Sequence, residues 1–154
     1  MNLASLRKTQ GRFVEAELLD KRALAIREKI FGPHHLNVAA SLYSLAEVYK
    51  EEARYTEAEP LLDRALAIAE KKLGQDEPNY ALALFSLSGL YLLQGRYAEA
   101  EPIRERAIAI WEHALGREHP YVATALIGLA EVYREQGLYA RAESLFLEPV
   151  MNLR

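Results

Sequence analysis

Apolar residues along the chain recur at the spacing of helices with one buried face. Between residues 37 and 52 they include Val38, Leu42 and Leu45, close to the i, i+4, i+7 pattern of an amphipathic helix. Residues 53–55 interrupt this pattern, and a second apolar series follows. The pattern therefore predicts two helices joined by a short turn.

The second helix of this pair carries signals for its start and its end. Thr56 and Glu59 have the Thr-x-x-Glu spacing of a capping box, which predicts a helix that begins near Thr56. Gly74, followed closely by Pro78, is the usual combination after a helix end. We therefore expect a second helix that ends at about residue 73.

Three prolines fall within predicted second helices. Pro60 and Pro102 are expected in the first turn, where most backbone N–H groups have no intrahelical partner and a proline costs little. Pro149 instead aligns with Ala107, deep in the second helix of its repeat. We therefore expect the last helix to end or kink near Glu148.

The helical hairpin recurs every 42 residues. An aromatic residue, an alanine and a glutamate repeat in a fixed order, and a fixed glycine position is filled by Ala53 in one repeat. The repeated sets are Phe13, Tyr55, Tyr97 and Tyr139; Ala16, Ala58, Ala100 and Ala142; and Glu17, Glu59, Glu101 and Glu143. Such a period predicts stacked supersecondary units that bury their apolar faces against one another.

The predicted fold is all-α: an α-solenoid of antiparallel helix hairpins with about three and a half 42-residue repeats. We interpret residues 1–154 as a single array. Repeat 1 is truncated and covers residues 1–31, and repeats 2 and 3 cover 32–73 and 74–115. Repeat 4 covers 116–154, with its second helix interrupted near Pro149.

Composition narrows the function classes. Half of the residues (51%) are hydrophobic, the net charge is only −3, and basic residues are not clustered, which argues against nucleic-acid and membrane partners. The chain has no cysteine, so disulfides and thiol chemistry are excluded. No segment has the length and apolarity of a signal peptide or membrane span, so we expect a soluble, cytoplasmic protein.

The repeated residues resemble those of the tetratricopeptide repeat family. The segments Tyr97–Pro102 and Arg22–Lys29, the latter followed by Gly32, resemble the 42-residue variant found in kinesin light chains. The resemblance implies that small residues mark where the helices of a hairpin cross. They are Ala46, Ser88 and Ala130 in the first helices, and Ala58, Ala100 and Ala142 in the second.

Two departures from the family pattern bear on function. Kinesin light chains often carry paired asparagines in the first helix, and these positions hold other residues here, such as Tyr43-Ser44 and Phe85-Ser86, which leaves kinesin-type cargo binding open. The family also favours an aromatic residue four positions after the crossing alanine of the second helix. This chain has Asp20, Leu62, Arg104 and Phe146 there, and we expect the charged ones to face solvent.

The resemblance also implies a binding surface, because first helices line the concave side of such arrays. Leu92 and Leu93 form an apolar centre with charged neighbours in the adjacent repeats, as in a binding patch; alternatively, both leucines pack against the next hairpin. The predicted peptide-binding groove comprises Tyr43, Glu47, Lys50, Leu82, Phe85, Gly89, Leu92, Leu93, Ile127, Glu131 and Arg134.

Motifs for catalysis or metal binding are not found in the sequence. His35 and His119 share a repeat position in predicted loops, where they are expected to cap helices or line the loops, and no metal-ligand spacing occurs. The repeated glutamates follow the fold, whereas a catalytic pair is expected once. Trp111 is interpreted as a packing residue, with an exposed binding aromatic as the alternative. We predict no enzyme activity, no cofactor and no metal.

The sequence therefore predicts a non-catalytic scaffold that binds a peptide or protein segment in the groove. The alternative is an oligomerising or regulatory segment of a larger signalling protein. We also expect a homo-oligomer, because apolar residues of the terminal repeats would lack partners and drive self-association. These residues are Leu18, Leu19, Leu24, Ile26, Leu145, Phe146 and Leu147.

Overall fold

Seven α-helices form the part of the chain that the computed structural model describes, residues 12–151. They are α1 (Phe13–Phe31), α2 (Leu36–Glu51), α3 (Tyr55–Leu73), α4 (Pro78–Leu93), α5 (Tyr97–Leu115), α6 (Pro120–Glu135) and α7 (Tyr139–Met151). Helices of 19 and 16 residues alternate from α1 to α6. The predicted all-α repeat fold is confirmed, while the truncated helix expected before α1 lies outside the described residues.

The chain divides into two compact units between Gly74 and Gln75. Unit 1 contains α1, α2 and α3, and unit 2 contains α4, α5, α6 and α7. Within each unit, helices that follow one another along the chain pack together.

Small side chains at the predicted helix crossings are buried. Ala58 of α3 and Ala46 of α2 are fully buried in unit 1, and Ala100 of α5 and Ser88 of α4 are buried in unit 2. A small residue lets two helix backbones approach closely, so larger side chains can fill the flanks. The positions that the family resemblance implied for the helix crossings are therefore in the core.

Helix α3 begins at Tyr55, next to the predicted Thr56, but the capping-box interpretation is wrong because Thr56 does not cap the helix. Arg54 is the N-cap residue, and its carbonyl accepts hydrogen bonds from the backbone N–H groups of Glu57 and Ala58. The Arg54 side chain binds the Glu57 carboxylate at 2.7 Å. Because Thr56 is already helical, its hydroxyl is not in the geometry of a capping box.

The prolines also differ from expectation. Pro60 and Pro102 are the sixth residues of α3 and α5, beyond the first turn. Both are exposed, so water can satisfy the carbonyl that each proline leaves unbonded. Helix α7 continues through Pro149 and ends at Met151, three residues beyond Glu148, and a kink at Pro149 stays a prediction.

Two histidines cap first helices, as predicted from their shared repeat position. The Nδ1 atom of His35 accepts a hydrogen bond from the backbone N–H of Asn37 at 3.1 Å. The Nδ1 atom of His119 accepts one from the backbone N–H of Tyr121 at 3.2 Å. Each bond satisfies an otherwise free N–H at a helix start.

The turn inside each hairpin requires a left-handed residue. Gly95 and Gly137 have φ of +71° and +72°, whereas Ala53 adopts +57° at the same repeat position. In all three turns the next backbone N–H donates to the carbonyl five residues earlier, at 2.7–2.8 Å, as in a Schellman helix end. An alanine is strained in this conformation because its Cβ crowds the following carbonyl.

The repeated glutamate ties successive repeats together. In unit 1, Glu17 of α1 accepts a hydrogen bond from the Tyr49 hydroxyl of α2 at 3.0 Å, and it also binds Arg54 at 2.8 Å and Lys21 at 2.6 Å. Hydrogen bonds from Arg54 and then Lys21 lower the pKa of Glu17 to about 2. In unit 2, Tyr133 donates to Glu101 in the same way, at 3.1 Å.

We predict that Ala53→Gly increases the free energy of unfolding by roughly 0.5–1 kcal/mol, because glycine adopts positive φ without strain. The reciprocal change, Gly95→Ala, should reduce it by about 1 kcal/mol. No atom lies within 4 Å of the Cβ that this change adds, so any cost is conformational. Urea denaturation, monitored by far-ultraviolet circular dichroism, measures both free energies of unfolding. An Ala53→Gly variant that is less stable than the wild type would contradict the inference that Ala53 is strained.

We predict that Glu17→Gln lowers stability by about 1 kcal/mol near pH 6, where the charged hydrogen bonds are intact. The pKa of Glu17 is lower in the folded chain than its usual 4.5. Its contribution is therefore complete above about pH 4.5 and is lost as the pH falls towards 2. The difference between wild type and variant in urea midpoint should shrink over that range.

Glu143→Gln is the matched control. Glu143 has the same repeat position in α7, is exposed, and its side chain forms no hydrogen bond with another described residue. Its replacement should change the urea midpoint little. If the urea midpoint of Glu17→Gln stays below that of the wild type by the same amount from pH 6 to pH 2, the ionised hydrogen-bond network is not the cause of the lower stability.

Candidate functional site

The first helices of unit 2 present most of the predicted groove residues. Leu82 and Leu93 of α4 are 43% and 53% exposed, and Ile127 of α6 is 52% exposed. Phe85, Gly89 and Leu92 are partly buried, and Glu131 and Arg134 are exposed. Unit 2 therefore carries exposed apolar side chains on both of its first helices, which is unusual on a surface without a partner.

The adjacent leucines Leu92 and Leu93 have different environments. Leu93 is 53% exposed and therefore about half accessible to solvent. Leu92 is partly buried and lines a cavity of about 210 Å³. The cavity is also lined by Tyr97, Gly128, Glu131, Val132 and Arg134.

A second concavity lies between α6 and α7. Its volume is about 290 Å³, and Ile127, Tyr139 and Phe146 are among its lining residues. Glu131 and Arg134 line both cavities. Exposed apolar side chains on unit 2 thus lie beside a pair of opposite charges, an arrangement with an apolar centre and a polar rim.

Trp111 belongs to the core, as the packing interpretation predicted. It is 1% exposed, and its Nε1 atom donates a hydrogen bond to the carbonyl of Pro78 at 3.0 Å. Its ring lies 5.5 Å from that of Phe85 and 5.2 Å from that of Tyr121. The buried Trp111 ring therefore packs against the partly buried Phe85 ring.

The charged residues four positions after the crossing alanine do not face solvent, and that prediction is wrong. Asp20 is 2% exposed and Arg104 is 4% exposed. Each is accommodated by a serine of a first helix: Ser44 donates to Asp20 at 3.0 Å, and Arg104 Nε donates to Ser88 at 3.1 Å. Hydrogen bonding to a hydroxyl offsets part of the cost of burying the charge.

The buried Arg104 contacts the predicted groove residue Phe85, and sequence reasoning did not predict this contact. Its guanidinium lies over the Phe85 ring at 4.5 Å, a cation–π contact. Burial lowers its pKa to about 10, and the charge of Glu131 acts in the opposite direction. The departure of this repeat position from the family pattern was visible in the sequence, but the direction of the side chain was not.

Unit 1 holds the other three predicted groove residues. Tyr43 is half-buried and packs against the apolar cluster that contains Leu42 and Ile68, and its hydroxyl is buried without a hydrogen-bond partner among the described residues. Burial raises the pKa of that hydroxyl. Glu47 and Lys50 form an ion pair at 2.7 Å. Unit 1 therefore offers a more polar and internally paired surface.

Residues 12–151 contain neither a metal-binding cluster nor a membrane-spanning helix. No group of three or more histidine, aspartate and glutamate side chains there is arranged to hold a metal ion. No helix in this range is both long enough and apolar enough to cross a membrane.

Comparisons with solved structures identify proteins of the same architecture. The nearly identical TPR-like repeats assigned to a kinesin light chain of Podosopora anserina superpose with a TM-score of 0.86 and 30% identity, over 98% of this chain and 71% of that one. BtubC (BKLC) from P. vanneervenii has a TM-score of 0.85 and 25% identity, over 97% and 62%.

A third structure shares the fold alone. The Rap protein complexed with Competence and Sporulation Factor has a TM-score of 0.79 and 20% identity, over 94% of this chain and 38% of that protein. No curated protein sequence matches this chain.

The sequence itself matches one family profile repeatedly. The profile described as Tetratricopeptide repeat matches residues 1–71, 45–103 and 80–148, which together span nearly all of the chain. The helix lengths and the 42-residue period agree with this match. The protein belongs to the tetratricopeptide repeat family, similar in structure to the repeats of kinesin light chains.

Proposed function

We propose that this protein is a non-catalytic scaffold that binds a peptide segment of a protein partner on the first helices of unit 2. Tetratricopeptide repeats generally mediate protein–protein interactions, and their fold is typically not catalytic. The observation that carries the proposal is the exposure of Leu82, Leu93 and Ile127 on α4 and α6. When a partner covers such side chains, their apolar surface is removed from water, and this burial stabilises the complex.

The charges around these residues support a peptide partner over a small apolar ligand. Both cavities of unit 2 are shallow, and Glu131 and Arg134 line each of them. A peptide offers backbone N–H and C=O groups that such side chains can bind, whereas a small apolar ligand would leave them unpaired. We therefore favour an extended peptide whose apolar side chains contact Leu92 and Leu93.

Self-association is the second candidate function, and a separate observation favours it. In unit 1, Val14, Leu18 and Ile30 of α1 are 66–77% exposed. In unit 2, Phe146 and Leu147 of α7 are about half exposed. Several exposed apolar side chains on one helix favour association with another copy of the chain or with another protein, because association buries them.

For the peptide surface, we predict that the double change Leu92→Lys and Leu93→Glu weakens peptide binding at least tenfold, about 1.4 kcal/mol. The two new residues are those of unit 1 at the same repeat positions, Lys50 and Glu51. Peptides would be selected from a random displayed library on the wild-type protein, and their affinities for both proteins measured by fluorescence anisotropy. Thermal unfolding of the variant should change little, because Leu93 is exposed and Leu92 only partly buried.

Leu115→Lys is the matched control, since it introduces a charge at an exposed leucine of the second helix α5. It should leave the affinity unchanged. If the double variant unfolds, the two leucines belong to the core. If the wild type and the double variant bind the peptides with equal affinity, the peptides bind on another surface.

For self-association, we predict a weight-average mass above that of the monomer at tens of micromolar in static light scattering. Leu18→Glu in α1 or Phe146→Glu in α7 should lower it, because a charge opposes burial of the same face. A mass that rises steadily with concentration indicates open stacking, and a plateau at twice the monomer indicates a closed dimer. A monomer at all concentrations would refute this second function.

A further inference from the structure

A basic cavity lies on unit 1 between α3 and the loop that precedes α2. Its volume is about 260 Å³, and its lining residues are His34, Arg64, Ala67, Ile68 and Lys71. Three of these side chains are basic, and none carries a carboxylate. No lining residue belongs to the predicted peptide groove, so the cavity is a separate feature of the molecule.

One face of α3 supplies most of the cavity. Its four lining residues have the i, i+3, i+4, i+7 spacing that places side chains on the same side of a helix, and they are Arg64, Ala67, Ile68 and Lys71. The nearby carboxylates Asp63 and Glu70 each lie one residue before a basic residue, which is about 100° around the helix. This spacing separates acidic from basic side chains along α3. Ile68 is 3% exposed, so it lies at the bottom of the cavity as apolar surface.

Arg64 is held in place through one nitrogen of its guanidinium. The Nη2 atom binds the Glu28 carboxylate of α1 at 2.6 Å and donates to the Pro33 carbonyl at 3.0 Å. Glu28 offsets part of the positive charge, but the Nε and Nη1 atoms donate to no described residue. Because a guanidinium has five N–H donors, Arg64 keeps donors for a further anion while its position stays fixed.

The other two basic side chains have no internal partner. His34 and Lys71 are exposed, and their side chains form no hydrogen bond or ion pair with another described residue. Lys71 has a structural explanation, since a basic residue in the last turn of α3 complements the helix dipole. This explanation does not extend to His34, because the neighbouring His35 is the residue that caps α2.

The loop residue distinguishes this cavity from the same place in unit 2. Asp76 occupies the repeat position of His34. Arg106 occupies that of Arg64, and it donates to the side chain of Gln75 at 2.7 Å. Unit 2 therefore has a carboxylate in the loop where unit 1 has an imidazole. The same type of loop is formed with either residue, so the repeat fold alone does not account for the histidine.

We propose that this cavity binds a phosphate monoester that carries an apolar group. The phosphate accepts hydrogen bonds from His34, Arg64 and Lys71, and the apolar group lies against Ala67 and Ile68. A phosphate monoester has a charge of about −1.5 to −2 near neutral pH and three acceptor oxygens, which match three basic donors. A carboxylate has one charge and two oxygens, so it would leave a donor unused. The inference is independent of the proposed peptide surface, because the two share no residue.

Small probes test the two parts of this ligand separately. Phenyl phosphate has the phosphate and the apolar ring, inorganic phosphate has only the anion, and phenol has only the ring. Binding is read at constant pH from the imidazole resonances of His34 in ¹H–¹³C NMR spectra, which are identified by their loss in His34→Asp. We expect phenyl phosphate to shift these resonances saturably and at lower concentration than inorganic phosphate, and phenol not to shift them.

A fourth probe distinguishes the two sources of such a phosphate, a phosphorylated side chain of a protein and a small organic ester. N-acetyl-O-phosphotyrosinamide carries the same phenyl phosphate group with two peptide bonds attached. Tighter binding of this probe than of phenyl phosphate indicates a protein source, because the peptide groups then add contacts. Equal binding indicates that the cavity recognises the ester alone, as a small-molecule site does.

Two adjacent lysines provide a matched pair of variants. Lys71→Gln should raise the dissociation constant of phenyl phosphate about threefold to tenfold, because one charged donor is lost. Lys72→Gln removes the same charge from the next residue of α3, which does not line the cavity, and should leave the constant unchanged. Both variants should unfold at the wild-type temperature, since both lysines are exposed.

His34→Asp gives the loop of unit 1 the residue that unit 2 has at this position, Asp76. The new carboxylate repels the phosphate, so we expect binding to be lost. For this variant the response is read from the backbone amide resonance of Lys71, because the imidazole resonances are absent. Thermal unfolding shows whether the variant is folded, and the two lysine variants decide the question if it is not.

Several outcomes would overturn the inference. If no probe gives a saturable shift, or if phenol binds as tightly as phenyl phosphate, the cavity is not a phosphate site. If Lys72→Gln weakens binding as much as Lys71→Gln, the anion responds to the general charge of the surface. If inorganic phosphate binds as tightly as phenyl phosphate, the apolar surface of the cavity takes no part.

Discussion

The close contact of paired helices at a buried small side chain governs the rest of this structure. Ala58 and Ala100 are at most 1% exposed, and the helix around each of them packs against the first helix of its hairpin. One helical turn further on, the side chain lies on the same face of the helix. Residues 20, 62 and 104 are buried there despite their different chemistry, whereas Phe146 of α7 is 50% exposed, and each unit must accommodate the residue that it buries.

The residues at that position differ in the neighbouring groups that they need when they are buried. Leu62 needs only apolar neighbours, whereas Asp20 needs a hydrogen-bond donor, and Ser44 supplies one. Arg104 receives a hydroxyl and an aromatic face, but no carboxylate within the described part of the chain. A buried charge is costly unless it is paired, so unit 2 carries this cost at a position where unit 1 buries Leu62.

Features that depend on local periodicity could be predicted from the sequence. The 42-residue period gave the helices, the buried alanines and the histidine caps, because each is determined by residues close in the chain. Features that depend on a second element could not. The burial of Arg104 depends on α4 and α6, and the hydrogen bond between Tyr49 and Glu17 joins residues 32 apart. For the groove residues, the repeat position predicted the exposure of Leu93 and Ile127 but not the cavity that Leu92 lines.

The contrast between repeated and non-repeated positions connects fold with function. Residues that recur every 42 positions are explained by packing, capping or the tie between repeats, so they carry little information about a partner. Gly128, Arg104 and Leu93 do not recur, and Ser44, Leu62 and Glu51 show that other residues suit the same positions. Gly128 leaves the room that the Arg104 guanidinium occupies, so these two residues depend on each other. Together with Leu93 they lie in unit 2, on or between the helices whose apolar side chains are exposed.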